Sequence, residues 1–213
     1  MDAKQQSLRL VEGYKVILAS NSPRRKELLG ALGIPFEVRT LQGIDESYPE
    51  GLAGEEIALY ISGKKAEAYL STIADKELVI TADTIVYDAG QVLGKPASRE
   101  EAIAMLHQLS GHAHEVITGV TIATKQKTVR FASVSQVHFS ALTDEEITYY
   151  VDHFKPYDKA GAYGIQEWIG CVGVTSINGS YYNVMGLPVQ RLNQELHAFM
   201  NEKTDSFVDN FIY

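Results

Sequence analysis

The apolar positions near the start of the chain predict a strand, a tight turn and a helix. Residues 15–20 (KVILAS) form a short apolar run, which is typical of a buried strand. Ser22 and Pro23 follow; serine is a good helix N-cap, and proline is favoured at the first helical position. Leucines then recur at helical spacing as far as Gly33, where we expect the helix to end.

The same pattern predicts elements of both types along the rest of the chain. Helices are predicted over 53–73, 98–109, 143–153 and 189–200, the second and third of them behind capping boxes. Strands are predicted over 78–87, 92–93, 115–124 and 128–140, and a Gly- and Pro-rich loop over 155–166. Asn178-Gly179 predicts a hairpin between strand-like runs at 169–177 and 180–185. Because strands and helices mix without strict alternation, the pattern favours an α/β or α+β fold with a mixed sheet.

The composition is that of an ordinary globular protein. Of the 213 residues, 45% are hydrophobic and 22% are charged. A chain of this length buries roughly 70% of its unfolded surface, so we expect one domain over 1–213, with its core at 15–200 between a short extension and a tail. The one cysteine, Cys171, cannot form an internal disulfide, which favours a reducing compartment, and we expect it to be buried and inert.

Charge and hydropathy narrow the range of partners. No stretch approaches the roughly 20 apolar residues of a membrane span, and the N-terminus lacks the apolar region of a signal peptide. We therefore expect a cytoplasmic protein without a membrane partner. The net charge of −8 argues against a general nucleic-acid binder. It permits a small anionic ligand, because nearby charges dominate in a partly desolvated site.

Residues 20–25 (SNSPRR) place two serines and two arginines around the predicted start of the first helix. A helix N-terminus already carries about half a positive charge and unpaired N–H groups, so Arg24 and Arg25 stand where the helix dipole disfavours them. An anion would reverse the sign of that interaction. With the hydroxyls of Ser20 and Ser22, the segment then forms a phosphate cradle. The alternative is a solvated turn with tolerated arginines.

Asp83 stands in the middle of an apolar run, residues 79–86 (VITADTIV). Burying an unpaired charge costs several kcal/mol, so the carboxylate should have either a partner or a chemical function. The candidate partners are a metal ion, a lysine and an activated water. The alternative is that the strand breaks here and that Asp83 caps a turn.

Weaker candidates lie elsewhere in the chain. Lys65 and Lys95 are each, taken alone, more typical of solvated surface charges. Asp45 and Glu46 are candidate metal ligands in a loop, where paired acids are more typical of solvated surface charges. Gln166 ends a glycine-rich loop, and its amide suits the edge of a pyrimidine base because it carries both a donor and an acceptor. The residues alone favour the alternative, an ordinary structural loop.

Together these segments resemble the Maf family of nucleoside triphosphate pyrophosphatases, which is named for a septum-formation phenotype. The matching segments occur in the family's order and cover most of residues 15–200: LASNSPRRKELL at 18–29, IDE at 44–46, KKA at 64–66, ADTIV at 82–86, GKP at 94–96, LSG at 109–111, DKAGAYGIQ at 158–166 and INGSYYNVMGLP at 177–188. The resemblance implies an α/β fold of two lobes around a cleft on an elongated mixed sheet, similar to the inosine triphosphate pyrophosphatases.

The resemblance also implies an activity and a site. Family members hydrolyse the α–β phosphoanhydride of nucleoside triphosphates with a divalent cation, Mg²⁺ or Mn²⁺, and a homodimer is a family-level expectation. The catalytic carboxylate falls on Asp83, which together with Glu46 would hold the metal. The phosphate-binding positions fall on Ser20, Arg24, Arg25, Lys65 and Lys95, to which the cradle adds Ser22. The base-side positions are Arg24, Thr84 and Gln166. This combination of residues is similar to that of the subfamily that acts on dTTP and UTP, and modified pyrimidine nucleotides are further candidate substrates.

Two other functions stay open at this point. A regulator that binds nucleotides without hydrolysing them, and acts through a partner, would use the same cradle. Against it stands Asp83, since a carboxylate beside a triphosphate weakens pure binding unless a metal or a reaction needs it. The second alternative is the same hydrolysis on another base, such as a modified purine. A domain without a ligand would leave the arginines at the helix start unexplained.

Overall fold

The structure, a computed structural model, describes residues 11–201. The strands are β1 (Lys15–Leu18), β2 (Phe36–Val38), β3 (Glu77–Asp88), β4 (Gln91–Leu93), β5 (Ala113–Ala123), β6 (Thr128–Phe139) and β7 (Val174–Asn178). The α-helices are α1 (Pro23–Ala31), α2 (Glu55–Leu70), α3 (Arg99–Leu109), α4 (Asp144–Phe154), α5 (Trp168–Gly173), α6 (Tyr181–Met185) and α7 (Val189–Asn201). A 3-10 turn spans Ala160–Ala162.

These strands form one mixed sheet in the order β2-β1-β3-β5-β6-β7, with β4 paired to β3. One edge of β3 pairs with β5 over residues 79–87. The other edge is divided: residues 77–80 pair in parallel with β1, and residues 86–88 pair with the antiparallel β4. Within residues 11–201, positions 81–85 therefore have no strand partner on that side, and the sheet opens there into a gap.

Two large apolar clusters lie toward opposite ends of β3. The first joins the β1 end of β3, including Ile80, to buried leucines of α1 and α7. The second joins the β4 end, including Val86, to buried side chains of α3 and α4. The gap at residues 81–85 lies between these two packed regions. Rigid structure therefore bounds it on both sides.

Helix α2 makes an unusually close contact with the sheet. Gly119 of β5 lies directly opposite Asp83 of β3. A Cβ atom added to Gly119 would lie 2.3 Å from the carbonyl carbon and oxygen of Ala58 in α2. Because glycine has no Cβ, the helix backbone can lie directly on the strand. Lys65, two turns further along α2, then reaches over the same face of the sheet as Asp83.

The predicted mixed α/β sheet is confirmed. The predicted start of α1 is confirmed as well, because Ser22 is the N-cap and its Oγ accepts a hydrogen bond from the Arg25 N–H at 3.4 Å. The capping box at the start of α4, between Thr143 and Glu146, has both of its hydrogen bonds. At α3 the N-cap serine bonds as predicted, but the glutamate of the expected box accepts from the preceding alanine N–H instead. Strand β2 had not been predicted.

The predicted hairpin around Asn178-Gly179 is wrong. Only residues 174–178 are extended, because 168–173 form α5 and the segment after the turn forms α6. Ser180 caps α6 by accepting from the Asn183 N–H at 3.3 Å. The buried Asn183 amide then bonds to β5 and β6, and these contacts override the strand preference of tyrosine and valine. Ser180, a favourable N-cap residue directly after Gly179, was the local signal for this helix.

Two further results concern Cys171 and membrane-spanning helices. Cys171 is exposed, so the expectation that it is buried is wrong. No helix within residues 11–201 combines the length and the hydropathy that a membrane span requires.

Candidate active site

The gap beside residues 81–85 opens into two adjoining cavities. The first, about 490 Å³ beside the start of α1, is called here the α1 cavity. The second, about 310 Å³ beside β3, is called the β3 cavity. They form one cleft because they share part of their lining. The residues that line both cavities are Ser22, Arg24, Arg25, Glu46, Lys65, Lys95 and Asp158. The remaining predicted site residues also line it, Ser20 in the α1 cavity and Asp83, Thr84 and Gln166 in the β3 cavity.

The α1 cavity is built around the start of α1. The Ser22 N–H donates to the Ser20 hydroxyl at 3.2 Å, which holds the turn between β1 and α1. The first turn of α1 contains no acidic residue, so nothing in it offsets the positive end of the helix dipole. Arg24 donates from Nε to the Met185 carbonyl oxygen at 3.2 Å, and its Nη1 lies 3.5 Å from Asp158. Its guanidinium group therefore lines the cleft, weakly paired.

Arg25 is held much more firmly than Arg24. It donates from Nε to the Gly186 carbonyl oxygen at 2.8 Å, from Nη1 to the Ala82 carbonyl oxygen at 2.9 Å, and from Nη2 to Thr84 Oγ1 at 3.0 Å. Burial lowers the pKa of Arg25, although the nearby Asp83 carboxylate acts in the opposite direction. These bonds cover part of the unpaired edge of β3 and tie α1 to it. Most of the donors of Arg25 are thus already used within the protein.

Asp83 has the partner that its place in an apolar strand required. Its Oδ1 accepts from Lys65 Nζ at 2.7 Å, and Glu46 Oε1 lies 3.0 Å from the same ammonium group. Lys64 and Asp45, the sequence neighbours of Lys65 and Glu46, line neither cavity. They pair with each other instead, with Lys64 Nζ 2.8 Å from Asp45 Oδ2. Strand β3 continues through Asp83, so the alternative in which Asp83 caps a turn is wrong.

Two carboxylates that meet at one cationic centre fit a divalent cation. Mg²⁺ is usually held by one or two carboxylates together with phosphate oxygens and water, rather than by a cage of protein ligands. Asp83 and Glu46 provide such a pair. Within residues 11–201 no group of three or more Asp, Glu, His or Cys side chains has the geometry of a complete metal centre. A metal here would therefore need oxygen ligands from the substrate or from water.

A buried lysine at the far side of the cleft was missed from the sequence. Lys159 Nζ lies 2.7 Å from Asp158 Oδ1 and 3.1 Å from Glu167 Oε1, and the side chain is only 9% exposed. Burial is the largest single influence on the pKa of Asp158 and would raise it, but the hydrogen bond and charge of Lys159 together with the charge of Arg24 outweigh burial, so the pKa is lowered. In contrast, Lys95 is exposed, and no carboxylate of residues 11–201 lies within ion-pair distance of it. The sequence signal for Lys159 was the matched segment DKAGAYGIQ itself, where two charged residues precede a glycine-rich loop.

The loop that carries Gln166 is fixed from behind. Tyr150 of α4 donates its hydroxyl hydrogen to Glu167 Oε2 and accepts from the Gly164 N–H at 3.0 Å. Burial, and then the bond to Glu167, raise the pKa of Tyr150, so its hydroxyl stays protonated. Gln166 itself is exposed at the cavity wall, and a Cβ added to Gly164 would lie 2.9 Å from its Nε2. The backbone of this loop is therefore held in place while the Gln166 amide faces the cleft.

The other walls of the β3 cavity are largely apolar and come from separate elements: Ile61, Ile85, Val86, Val92, Val116, Tyr163 and Val184. The Tyr163 hydroxyl lies 2.8 Å from Nε2 of the buried His114. Burial lowers the pKa of His114 to about 4, so the imidazole is neutral at pH 7.

The fold and the cleft together define a mixed α/β protein whose cleft gathers cationic side chains around a carboxylate. A family model described as Maf-like protein matches residues 15–199. The chain belongs to the Maf family, and the resemblance predicted from its motifs is confirmed.

Similar proteins are known from several bacteria. A dTTP/UTP pyrophosphatase of Parabacteroides distasonis is 64% identical over 186 residues, which are 87% of this chain and 96% of that protein. A dTTP/UTP pyrophosphatase of Bacteroides fragilis is 58% identical over the same shares of each chain. Among solved structures, the chain is similar to a HAM1 protein from Coxiella burnetii, with a TM-score of 0.45 and 14% identity over 87% of this chain and 99% of that one.

Proposed function

We propose that this chain hydrolyses dTTP and UTP to the nucleoside monophosphate and pyrophosphate. The observation that carries the proposal is the meeting of Asp83, Lys65 and Glu46 at the junction of two cavities of different character. The substrate is supported by the dTTP/UTP pyrophosphatases that share 64% and 58% identity with the chain. The predicted base-side combination of Arg24, Thr84 and Gln166 agrees with their names.

The triphosphate lies in the α1 cavity. Within residues 11–201 the Arg24 N–H is the backbone donor of the first turn of α1 that has no acceptor, and it binds a phosphate oxygen together with the hydroxyl groups of the turn, since a helix N-terminus favours an anion. Arg24, Lys65 and Lys95 neutralise the remaining charge. Arg25 contributes its positive field, while its hydrogen bonds hold α1 against β3. Arg24 is paired with Asp158 only at 3.5 Å, so a phosphate group competes for it easily.

Asp83 acts at the α-phosphorus. It orients the attacking water and accepts its proton, the oxygen of that water bonds to the α-phosphorus, and the bond from the α-phosphorus to the bridging oxygen of the β-phosphate breaks. Pyrophosphate leaves with its charge already matched by the cationic side chains, so positioning and electrostatics supply most of the rate. Glu46 and Asp83 would hold Mg²⁺ or Mn²⁺, which supplies positive charge against the phosphate oxygens.

Nucleotide binding without hydrolysis is the competing function. Binding alone does not explain why the Asp83 carboxylate lies among the cationic side chains of the cleft, because it would only repel a bound triphosphate. The apolar walls of the β3 cavity also favour a base there over a simple phosphate compound.

A panel of nucleotides tests the proposal. The protein is incubated with dTTP, UTP, dCTP, dATP and dGTP, each with Mg²⁺ or Mn²⁺, and pyrophosphate and orthophosphate are measured separately. We expect one pyrophosphate per monophosphate from dTTP and UTP, with the other nucleotides hydrolysed more slowly, and EDTA should stop the reaction. Release of orthophosphate would mean cleavage at the γ-phosphate, and unchanged dTTP would leave only the binding function.

A further inference from the structure

A fully buried threonine lies directly behind Thr84. Thr118 of β5 is the antiparallel partner of Thr84 in β3, and their Oγ1 atoms are 2.9 Å apart. Thr118 has no exposed surface and does not line either cavity. Its Oγ1 donates to the Asn183 carbonyl oxygen at 3.1 Å. Thr118 thus contacts a base-side residue without being able to touch the base.

The hydrogen atoms of the two hydroxyl groups can be placed by their partners. Each hydroxyl has one hydrogen to donate, the Asn183 carbonyl oxygen can only accept, and the Arg25 guanidinium can only donate. If Thr118 donates to Asn183, Thr84 donates to Thr118, and Arg25 donates to Thr84 at 3.0 Å, then every bond lies between 2.9 and 3.1 Å. The bonds then run in one direction, from Arg25 to Asn183.

The opposite arrangement is weaker. If Thr118 donated to Thr84, the one acceptor within the described residues 11–201 for the hydrogen of Thr84 would be the Gly186 carbonyl oxygen, 3.5 Å away. That distance is at the limit of a hydrogen bond. The Asn183 carbonyl oxygen would also lose its donor at 3.1 Å and, among the described part of the chain, would keep the Gly186 N–H at 2.9 Å as its single donor. The first arrangement is therefore favoured by about one hydrogen bond.

The acceptor of this chain is fixed in position. The Asn183 side-chain amide donates to the Val116 carbonyl oxygen at 3.0 Å and to Ser135 Oγ at 3.0 Å. These bonds fasten α6 to β5 and β6, so the Asn183 carbonyl oxygen stays beside Thr118. Its place does not depend on whether the cleft holds a ligand.

We propose that Thr118 is a positioning residue that makes the Thr84 hydroxyl a hydrogen-bond acceptor toward the β3 cavity. With its hydrogen directed at Thr118 and one lone pair bound to Arg25, Thr84 has one lone pair left for a ligand. That lone pair suits a base with an N–H donor, such as the imide N3–H of uracil or thymine. Cytosine carries a bare N3 at this position, so two lone pairs would face each other. The inference rests on the proposed function and explains its preference for uracil and thymine over cytosine.

The test is the ratio of kcat/KM for UTP to kcat/KM for CTP. Thr118→Val removes the hydroxyl and keeps the branched shape, so the hydrogen of Thr84 becomes free to turn toward the cavity. We expect the UTP-to-CTP ratio to fall about tenfold, the equivalent of one hydrogen bond. Thr118→Ser, which keeps the hydroxyl, should retain the parent ratio.

A matched control is available in the same strand. Thr121 is also fully buried, but its hydroxyl bonds to Ser62 at 3.1 Å, away from the cleft. Thr121→Val removes the same atom at the same depth, and its UTP-to-CTP ratio should equal that of the parent protein. In a Thr84→Val background, Thr118→Val should have no further effect on the ratio.

Three results would overturn the inference. They are a ratio within twofold of the parent in a folded Thr118→Val protein, an equal fall in Thr121→Val, and an effect of Thr118→Val that persists when Thr84 is valine. Thr118→Ala takes the place of the valine variant if that variant does not melt cooperatively. A parent protein that hydrolyses neither nucleotide would contradict the proposed function itself. Calorimetric binding of UTP and CTP to the same variants then tests the hydroxyl orientation separately.

Discussion

The two cavities of the cleft are built in different ways from the same chain. The α1 cavity is formed mainly by two short segments, residues 19–25 and 40–46, and is rich in hydroxyl, amide and backbone polar groups. The β3 cavity is walled by side chains from α2, β3, β4, β5 and α6 and from the loop before α5, most of them apolar. The charged residues lie where the two cavities meet.

This difference matches what the two parts of a nucleotide need. A triphosphate is bound by fixed donors and cations, which a helix start and its turn supply locally. A base is bound by apolar walls with a few polar groups of defined direction, which only a packed interior can supply. The contrast supports phosphates in the α1 cavity, the base in the β3 cavity and the reaction at their junction.

The largest effect is expected at that junction. Asp83→Asn keeps the volume of the side chain but removes the base, so pyrophosphate release from dTTP under saturating Mg²⁺ should fall roughly 10²- to 10⁴-fold. Lys65 keeps Glu46 as a partner at 3.0 Å, so the variant should still fold, as a thermal melt will check. Near-normal turnover would remove Asp83 from the central role.

The next largest effect is expected at the contact between Gly119 of β5 and the Ala58 backbone of α2, the helix that carries Lys65. In Gly119→Ala the new Cβ would lie 2.3 Å from the Ala58 backbone, and the overpacking should lower the free energy of unfolding by about 1–3 kcal/mol. Urea unfolding measures the loss. Gly30→Ala is the matched control, because its Cβ would lie 4.0 Å from Phe36 in an exposed helical position. There we expect no loss, or a gain of about 0.5–1 kcal/mol. Equal effects at both glycines would argue against the close contact.

A third test concerns His114, which lies behind the β3 cavity with its Nε2 2.8 Å from the hydroxyl of the wall residue Tyr163. The folded pKa of His114 is lowered to about 4 from an ordinary 6.5, so below pH 6.5 the unfolded state binds the proton more readily. Its contribution to stability is complete above pH 6.5 and is lost as the pH falls toward 4. Between pH 6.5 and 5 this amounts to about 2 kcal/mol. His114→Gln should lose that part of the pH dependence of unfolding. A parent and variant with parallel stability curves would contradict a neutral, buried His114.

The smallest effect is expected at the base side. Gln166→Ala should lower kcat/KM for dTTP and UTP about tenfold more than for inorganic triphosphate, which has no base to recognise. Gln42→Ala removes an amide from the α1 cavity alone, and it should affect nucleotides and inorganic triphosphate alike. A uniform loss in Gln166→Ala would contradict its role and would remove the contrast between the cavities.

The α1 cavity was the more predictable half because its residues are neighbours in the chain. Ser20, Ser22 and Arg24 are brought together by one turn, and the N-cap serine with the following proline specified that turn. Asp83 was found by its contrast with apolar neighbours. The convergence of Lys65, Lys95 and Gln166 came from the family resemblance, because spacing alone does not show which distant residues meet.

Arg24 and Arg25 show what the sequence could not distinguish. They are adjacent and identical in type, yet successive helical residues point about 100° apart. Arg24 faces the cleft, and Arg25 turns toward the unpaired edge of β3. The same limit applies to α5 and α6, because the turn at Asn178-Gly179 indicated a hairpin between two strands. The segment after the turn forms a helix instead, which the buried Asn183 amide ties to β5.

The sequence by itself determined the order of most elements, the capped starts of α1 and α4, and the chemical types that a phosphate site needs. These features depend on neighbouring residues and on backbone geometry, which a local pattern encodes. Only the tertiary structure decided that Arg25 bonds to Gly186, 161 positions away, and that Thr118 lies behind Thr84. Hydrogen-bond partners depend on differences of a few tenths of an ångström between packed elements, and no periodicity of residues specifies those distances.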